Sequence, residues 1–360
     1  MSVKSFISVA AIAAVTTLTA TAAHAQWTVT NLNPAGSTFS VAHAISGGQQ
    51  AGYARVGGVV RASLWSGTAA SWVDLSPAGA TSSYASAING GQQAGWATVG
   101  GVTRASLWSG TAASWVDLNP AGATFSNAYA ISGGQQAGLA FVGGVTRASL
   151  WSGTAASWVD LNPAGSTYSG ANAISGGQQA GWARFGSGAL ERASLWSGTA
   201  ASWVDLHPAG ATFSNAYAIS GGQQAGLAFV GGVQRASLWS GTAASWVDLH
   251  PAGSTESFAY AASGGQQAGY ARVGGLWHAS LWSGTAASWI DLHAFLPAGF
   301  VNSFAQDISS DGVNTYVTGF GLNILTGRDE ALLWTQPVPT PGAAALLGLG
   351  GLMAARRRRS

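Results

Sequence analysis

Only 7% of the 360 residues are charged, while 52 are glycine and 17 are tryptophan. A chain this poor in Glu and Lys lacks the composition of a helical bundle, and one this aromatic is not a disordered segment. Of the 14 basic residues, Lys4 and Arg356–Arg359 stand at the ends and leave nine to face 12 acidic groups. Nucleic-acid binding needs a basic face, so no nucleic-acid partner is expected.

The chain opens with Lys4, an apolar stretch from Phe6 to about Ala20, and Ala23-His24-Ala25. Small residues at Ala23 and Ala25 predict a signal peptide over residues 1–25, cut after Ala25 by signal peptidase. Cysteine is absent, so an exported chain would draw its stability from packing and closure rather than disulfides.

From 26 to 336 one unit recurs. Gly48-Gln-Gln-Ala-Gly52 returns at Gly91, Gly134, Gly177, Gly222 and Gly265, and Ala-Ser-Leu-Trp-Ser-Gly-Thr-Ala-Ala-Ser-Trp-Val/Ile-Asp-Leu places tryptophans at 65, 108, 151, 196, 239 and 282. The spacing is 43 residues except for one step of 45, where Phe185–Arg192 carries the extra residues. Such a period signals a solenoid, a propeller or an array. Within one copy, Tyr84–Ile88, Gln92–Val99, Arg104–Trp108 and Trp115–Leu118 predict four short strands separated by Asn-Gly-Gly, Gly-Gly and a Gly-containing loop. Alternation puts Arg104, Ser106, Trp108, Trp115 and Asp117 on one face and Ala105, Leu107, Val116 and Leu118 on the other. Both faces can be buried if each unit's tryptophans pack on its neighbour's aliphatics.

A seventh, divergent copy runs through Ala305-Gln-Asp-Ile, Tyr316-Val-Thr-Gly and Ala331-Leu-Leu-Trp334, and lacks a fourth strand. Trp27-Thr-Val-Thr-Asn-Leu supplies that strand at the other end of the repeats. The expected fold is all-β: a propeller of seven four-stranded blades closed by pairing of its N- and C-terminal strands, with an open β-solenoid as the alternative.

Ala87-Ile88-Asn89, Gly91-Gln-Gln-Ala-Gly95, Arg104-Ala-Ser-Leu-Trp108 and Asp117-Leu118 together resemble the HAF repeat of bacterial extracellular proteins, with Arg usually replacing its His and Ser replacing its Phe. That resemblance implies a propeller-like extracellular protein and carries no catalytic residue. After 336 come Pro337-Val-Pro-Thr-Pro-Gly, an apolar run from Ala343 to Ala355, and Arg356-Arg357-Arg358-Arg359. This tail, 337–360, resembles the PEP-CTERM sorting signal of Gram-negative bacteria, with Pro339, Thr340 and Pro341 at its motif and Thr340 in place of the family's Glu. The resemblance implies an exosortase-type processing enzyme as partner and a transient or processed membrane anchor.

Where the copies disagree, chemistry is easiest to place. Tyr53 with Arg55, Trp96, Trp182 with Arg184, and Tyr270 with Arg272 follow the Gln-Gln motif; aromatic rings beside Arg suit sugar faces, which makes them candidate glycan contacts. Packing between unlike blades is the alternative. The segments 39–43, 82–86, 125–129, 168–172, 213–217 and 256–260 vary as well, whereas 120–145 and 208–233 are identical. The Arg and Asp repeated in each unit, such as Arg104 and Asp117, read as a structural pair. His207, His250 and His293 occupy equivalent positions and do not converge on a metal. Asp307, Asp311 and Asn314 lack the alternating spacing of a calcium loop. No nucleophile elbow, phosphate loop or metalloprotease motif is present.

The sequence thus predicts a non-enzymatic, exported structural or adhesive protein of a Gram-negative envelope or extracellular matrix, without cofactor or metal, with exopolysaccharide or envelope glycans as partners. A lectin-like glycan-binding propeller is the alternative. A propeller hydrolase ranks third, because acidic residues are scattered once per blade.

Overall fold

A computed structural model describes residues 26–186, 188 and 190–338. The chain forms seven four-stranded antiparallel sheets arranged in a ring, a seven-bladed β-propeller. In blade 2 the strands run Ala80–Asn89, Gln92–Val99, Val102–Trp108 and Val116–Asp117 from the centre outward. Gly90 and Gly91, at φ +55° and +77°, make the first hairpin turn, a conformation open to glycine at little cost. The third and fourth strands pair Ser106 with Asp117 and Leu107 with Val116, the expected register. The innermost strand is longer than its sequence pattern suggested and the outermost shorter. A two-residue edge strand offers little template for pairing with another chain.

The ring closes as expected. Thr28–Asn31 pairs antiparallel with Arg328–Pro337, completing the blade built on Phe300–Ser310 and Asn314–Asn323. This excludes the open solenoid. It also carries Pro337 into the third strand of blade 7, one residue past the expected end of the repeats. Ala23, Ala25, Pro339, Thr340, Pro341 and Arg356–Arg359 lie outside the described residues.

Blade stacking follows the two faces read from the sequence. Trp151 of blade 3 is fully buried against Leu107 and Leu118 of blade 2, and Trp108 of blade 2 against Leu64 and Leu75 of blade 1. Truncating a buried indole of this kind costs about 3–5 kcal/mol. A polar relay accompanies each apolar seam: the Ala105 amide donates to Ser126 Oγ (2.9 Å) of the next blade, which donates to Asn119 Oδ1 (2.6 Å). The same relay crosses the closure, from Ala331 N to Ser40 Oγ (3.0 Å) and on to Asn33 Oδ1 (2.7 Å). His207 stands in for the Asn, with Nδ1 2.7 Å from Ser214 Oγ, so this histidine position is part of the stitching. The repeated ion pair, Arg104 Nη1 to Asp117 Oδ2 at 2.7 Å, ties the third strand to the fourth within one blade. It becomes His278–Asp291 in blade 6 and Asn31–Glu330 in blade 7, so the position keeps a polar tie rather than one chemistry.

Candidate functional site: the central channel

Every innermost strand carries a β-bulge, and the bulged residue lines the channel at the centre of the ring. In blade 1, Ala42 pairs with Gly52 and Ala44 with Ala51, leaving His43 as the extra residue. The same shift leaves Ser86, Tyr129, Asn172, Tyr217, Tyr260 and Gln306. All seven line one cavity of about 180 Å³. This is below the roughly 300 Å³ at which drug-sized pockets begin.

The invariant glycine ending Gly-Gln-Gln-Ala-Gly is what permits the bulge. A Cβ on Gly95 would lie 1.9 Å from the carbonyl oxygen of Tyr84, and one on Gly226 would lie 2.0 Å from that of Asn215. The second Gln has a separate task. Gln93 donates from Nε2 to Gly91 O (2.8 Å) and accepts from Gly110 N at Oε1 (2.9 Å), pinning the turn to the loop between the outer strands. The conserved motif therefore builds the bulge, and the residue on the bulge is free to differ.

Asp307 is the departure from the pattern. The equivalent residue is alanine in the other six blades (Ala44, Ala87, Ala130, Ala173, Ala218 and Ala261). Its Oδ2 accepts from Ile45 N of blade 1 and its Oδ1 from Ile308 N, both at 2.8 Å. The carboxyl lies in the channel wall, where burial pushes its pKa up to about 7 against the lowering effect of the two amides. His43, in the wall of the adjacent blade, is held neutral by burial, with its pKa lowered to about 4. Burial is also the main cause of the raised pKa values of Tyr129 and Tyr217, so both phenols stay protonated. Among the described residues, neither Lys nor Arg lines the cavity. The lining offers one titrating carboxyl, phenol hydroxyls, side-chain amides and a neutral imidazole, with nothing to balance an anion.

The sequence-predicted contacts occupy the tier next to this wall and do not converge on one point. Tyr53, its pKa pushed up to about 12 chiefly by burial, packs between His43 (5.4 Å between ring centroids) and Tyr84 (4.2 Å). Trp96 stacks on the other side of Tyr84 at 4.2 Å, and exposed Arg55 caps Phe39. Trp182 lies over Gly170, whose missing side chain makes room for it, and Arg184 covers Trp182. Tyr270 is packed among Phe258, Tyr260, Trp277 and Phe304, and Arg272 sits over Trp277. Of these contacts, Tyr53–Tyr84 and Tyr270–Phe304 cross between blades and the others lie within one blade; Tyr53 and Tyr270 each touch a channel residue. Asp311 Oδ1 accepts from Val313 N and Asn314 N in an exposed turn, away from Asp307, so the three residues weighed as a calcium loop do not assemble. Among the described residues, no group of three or more His, Asp or Glu could hold a metal ion.

No known family profile matches this chain, and no curated protein does. Solved structures share the fold. A prolyl endopeptidase aligns at 12% identity and TM-score 0.53 over 84% of this chain and 51% of its own, so the present chain spans about half that enzyme's length. The β-propeller domain of the trilobed protease from Pyrococcus furiosus aligns at 9% identity and TM-score 0.53, over 84% of this chain and 98% of its own. That domain has an open velcro topology, whereas here Thr28–Asn31 completes blade 7. An oligogalacturonate lyase in complex with manganese aligns at 10% identity and TM-score 0.52, over 87% of this chain and 98% of its own.

Two expectations are corrected by these findings. The non-enzymatic structural or adhesive role, with its lectin-like alternative, rested on acidic residues scattered once per blade and on the lack of a catalytic motif. Enzymes are among the solved structures that share the fold, one of them matched over nearly its whole length, and the channel holds an unrepeated carboxyl. The sequence singles out Asp307 only beside Asp311 and Asn314, because the repeat does not reveal which strand residues line the channel.

Proposed function

We propose that this propeller is an enzyme whose central channel binds a small, uncharged, hydroxyl-rich substrate, with Asp307 moving a proton in a hydrolytic reaction. The observation that carries this reading is the placement of Asp307, a carboxyl in the channel wall where six equivalent positions hold alanine. A carboxyl with a pKa near 7 is suited to act as acid and as base at neutral pH. The absence of Lys and Arg from the lining disfavours phosphates and uronates, whose recognition needs opposing charge. One channel carboxyl does not make the two-carboxylate pair of ordinary glycoside hydrolysis, which favours chemistry needing a single acid–base group.

Asp307 also bonds across the closure between blades 7 and 1, and a purely structural staple is the competing account. Alanine at the six equivalent positions makes D307A a variant expected to fold. Purified wild type and D307A should be assayed against neutral and uronic-acid oligosaccharides for new reducing ends and for unsaturated products. The expected result is turnover of neutral substrates only, reduced at least about 100-fold in D307A. Equal turnover by D307A, or preference for uronates, would refute the assignment. Export and tail sorting are proposed separately on the residues at 23–25 and 337–360; a mature chain whose mass does not begin at Gln26 would refute the first.

A further inference from the structure

The longer connection of blade 4 supplies a side chain that no other blade has, and it reaches the channel-lining Asn172 through one intermediary. Glu191, in the connection between the second and third strands of that blade, accepts from Arg184 Nη2 at Oε1 (2.9 Å) and from Asn215 Nδ2 at Oε2 (3.0 Å). Asn215 belongs to blade 5 and is 5% exposed. Its Oδ1 accepts from Asn172 Nδ2 (2.8 Å), and the same Asn172 nitrogen donates to Ala216 O (2.9 Å). Chemistry sets each amide's orientation. A carboxylate only accepts, so Asn215 must turn its NH2 to Glu191 and its oxygen to Asn172; a backbone carbonyl only accepts, so Asn172 must turn its NH2 toward blade 5. Both donors of Asn172 are then engaged, and its Oδ1 is left for the channel.

An internal control exists. Residues 120–145 repeat 208–233 letter for letter, so Asn127 and Tyr129 in blade 3 match Asn215 and Tyr217 in blade 5. With no carboxylate beside it, Asn127 donates instead to Tyr129 Oη (3.2 Å), and its own Oδ1 is buried without a partner. In blade 5 the Tyr217 ring lies parallel to Tyr260, with centroids 4.6 Å apart and planes within 1°. One sequence thus adopts two side-chain arrangements, and Glu191 stands only beside the second.

We propose that Glu191 is a positioning residue. Through Asn215 it presents Asn172 Oδ1 as a fixed hydrogen-bond acceptor and leaves the Tyr217 hydroxyl free of Asn215, so the blade 4–blade 5 wall selects ligands that donate hydrogen bonds, polyols above all. This rests on the channel being the binding site. The test uses the full chain, E191A, and E191Q, which keeps one acceptor oxygen if loss of the side chain impairs folding. Side-chain amide NMR reads the positioning directly: Asn215 should differ from Asn127 in wild type and approach it in E191A. Identical Asn127 and Asn215 signals in wild type, or an unmoved Asn215 in E191A, would overturn the positioning role whatever the ligand. Titration with D-glucose as the probe reads the selection, with about 10-fold weaker binding expected in E191A and partial recovery in E191Q. Unchanged affinity in E191A would overturn the selection. Failure of D-glucose to bind wild type would overturn both the selection and the channel reading, with the amide signals still judging Glu191 by themselves.

Discussion

Blades 3 and 5 share residues 120–145 and 208–233 without a single difference, and their backbones pair in the same register around the same bulge. Their polar side chains differ. Asn127 bonds within its own blade and leaves an oxygen unpaired, while Asn215 bridges Glu191 and Asn172 across three elements. Backbone geometry here follows the local repeat, and side-chain function follows the neighbour. A propeller of near-identical blades can therefore diversify its channel by changing one residue or one connection without disturbing the ring.

The most severe way to test that division is to attack what the two blades share. Gly138→Ala and Gly226→Ala each place a Cβ 2.0 Å from a backbone carbonyl, of Asn127 and Asn215 respectively. Neither carbonyl can withdraw without undoing the bulge, so each substitution should cost about 3 kcal/mol or more. Equal losses in thermal or urea unfolding would confirm a shared backbone requirement; a mild effect in either blade would break the equivalence.

The next largest effect lies where blade 7 departs from the repeat. D307A should fold and lose at least about 100-fold in turnover. Its stability should also change with pH in a defined direction. The folded carboxyl titrates near 7 and the unfolded one near 3.8, so the folded state holds the extra proton between these values and Asp307 makes stability fall as pH rises through that window. His43 acts oppositely: the unfolded imidazole takes up a proton near 6.5 and the folded one near 4, so stability falls as pH drops between them. Removing Asp307 abolishes the first slope and keeps the second. Melting curves should therefore show D307A at or above wild type at pH 7.5 and losing ground to it at pH 4.5. A pH-independent difference would mean that Asp307 titrates normally.

How much of this was legible in the sequence depends on what each position must satisfy. Blade number, strand register and the closure by Trp27–Leu32 could be read because packing repeats them seven times and the alternation of Trp and Leu has a single burial solution. The channel was harder. Its residues fall at the end of the variable segments, between two small residues as in Ala42-His43-Ala44, but straight alternation cannot reveal that a bulge turns them inward. The constant glycine was the available signal, since nothing in a turn-free strand interior requires one unless a backbone lies too close. The aromatic and Arg positions drew attention by their composition, yet Trp182 and Tyr270 face neighbours rather than open space. Glu191 was visible only as extra length.

Smaller effects should separate Asn127 from Asn215. N215A strands a Glu191 oxygen beside the channel and should cost about 1–3 kcal/mol. N127A removes an amide whose oxygen has no partner, and should leave stability within about 1 kcal/mol of wild type. Matching losses would contradict the claim that one sequence serves two purposes.

The smallest effect concerns the repeated ion pair, which both blades keep although Thr146 and Asn162 beside it in blade 3 become Gln234 and His250 in blade 5. Arg147 meets Asp160 at 2.6 Å and Arg235 meets Asp248 at 2.7 Å, with all four side chains about one-third exposed. Partly solvated pairs contribute about 0.2–1 kcal/mol and weaken as salt shortens the screening length. Arg147→Gln and Arg235→Gln should therefore lose the same small amount at low ionic strength and almost nothing in 1 M NaCl. The natural His278–Asp291 and Asn31–Glu330 replacements already point that way. An unequal loss would trace to His250, which bonds Asp248 where the twin blade has Asn162 on Asp160.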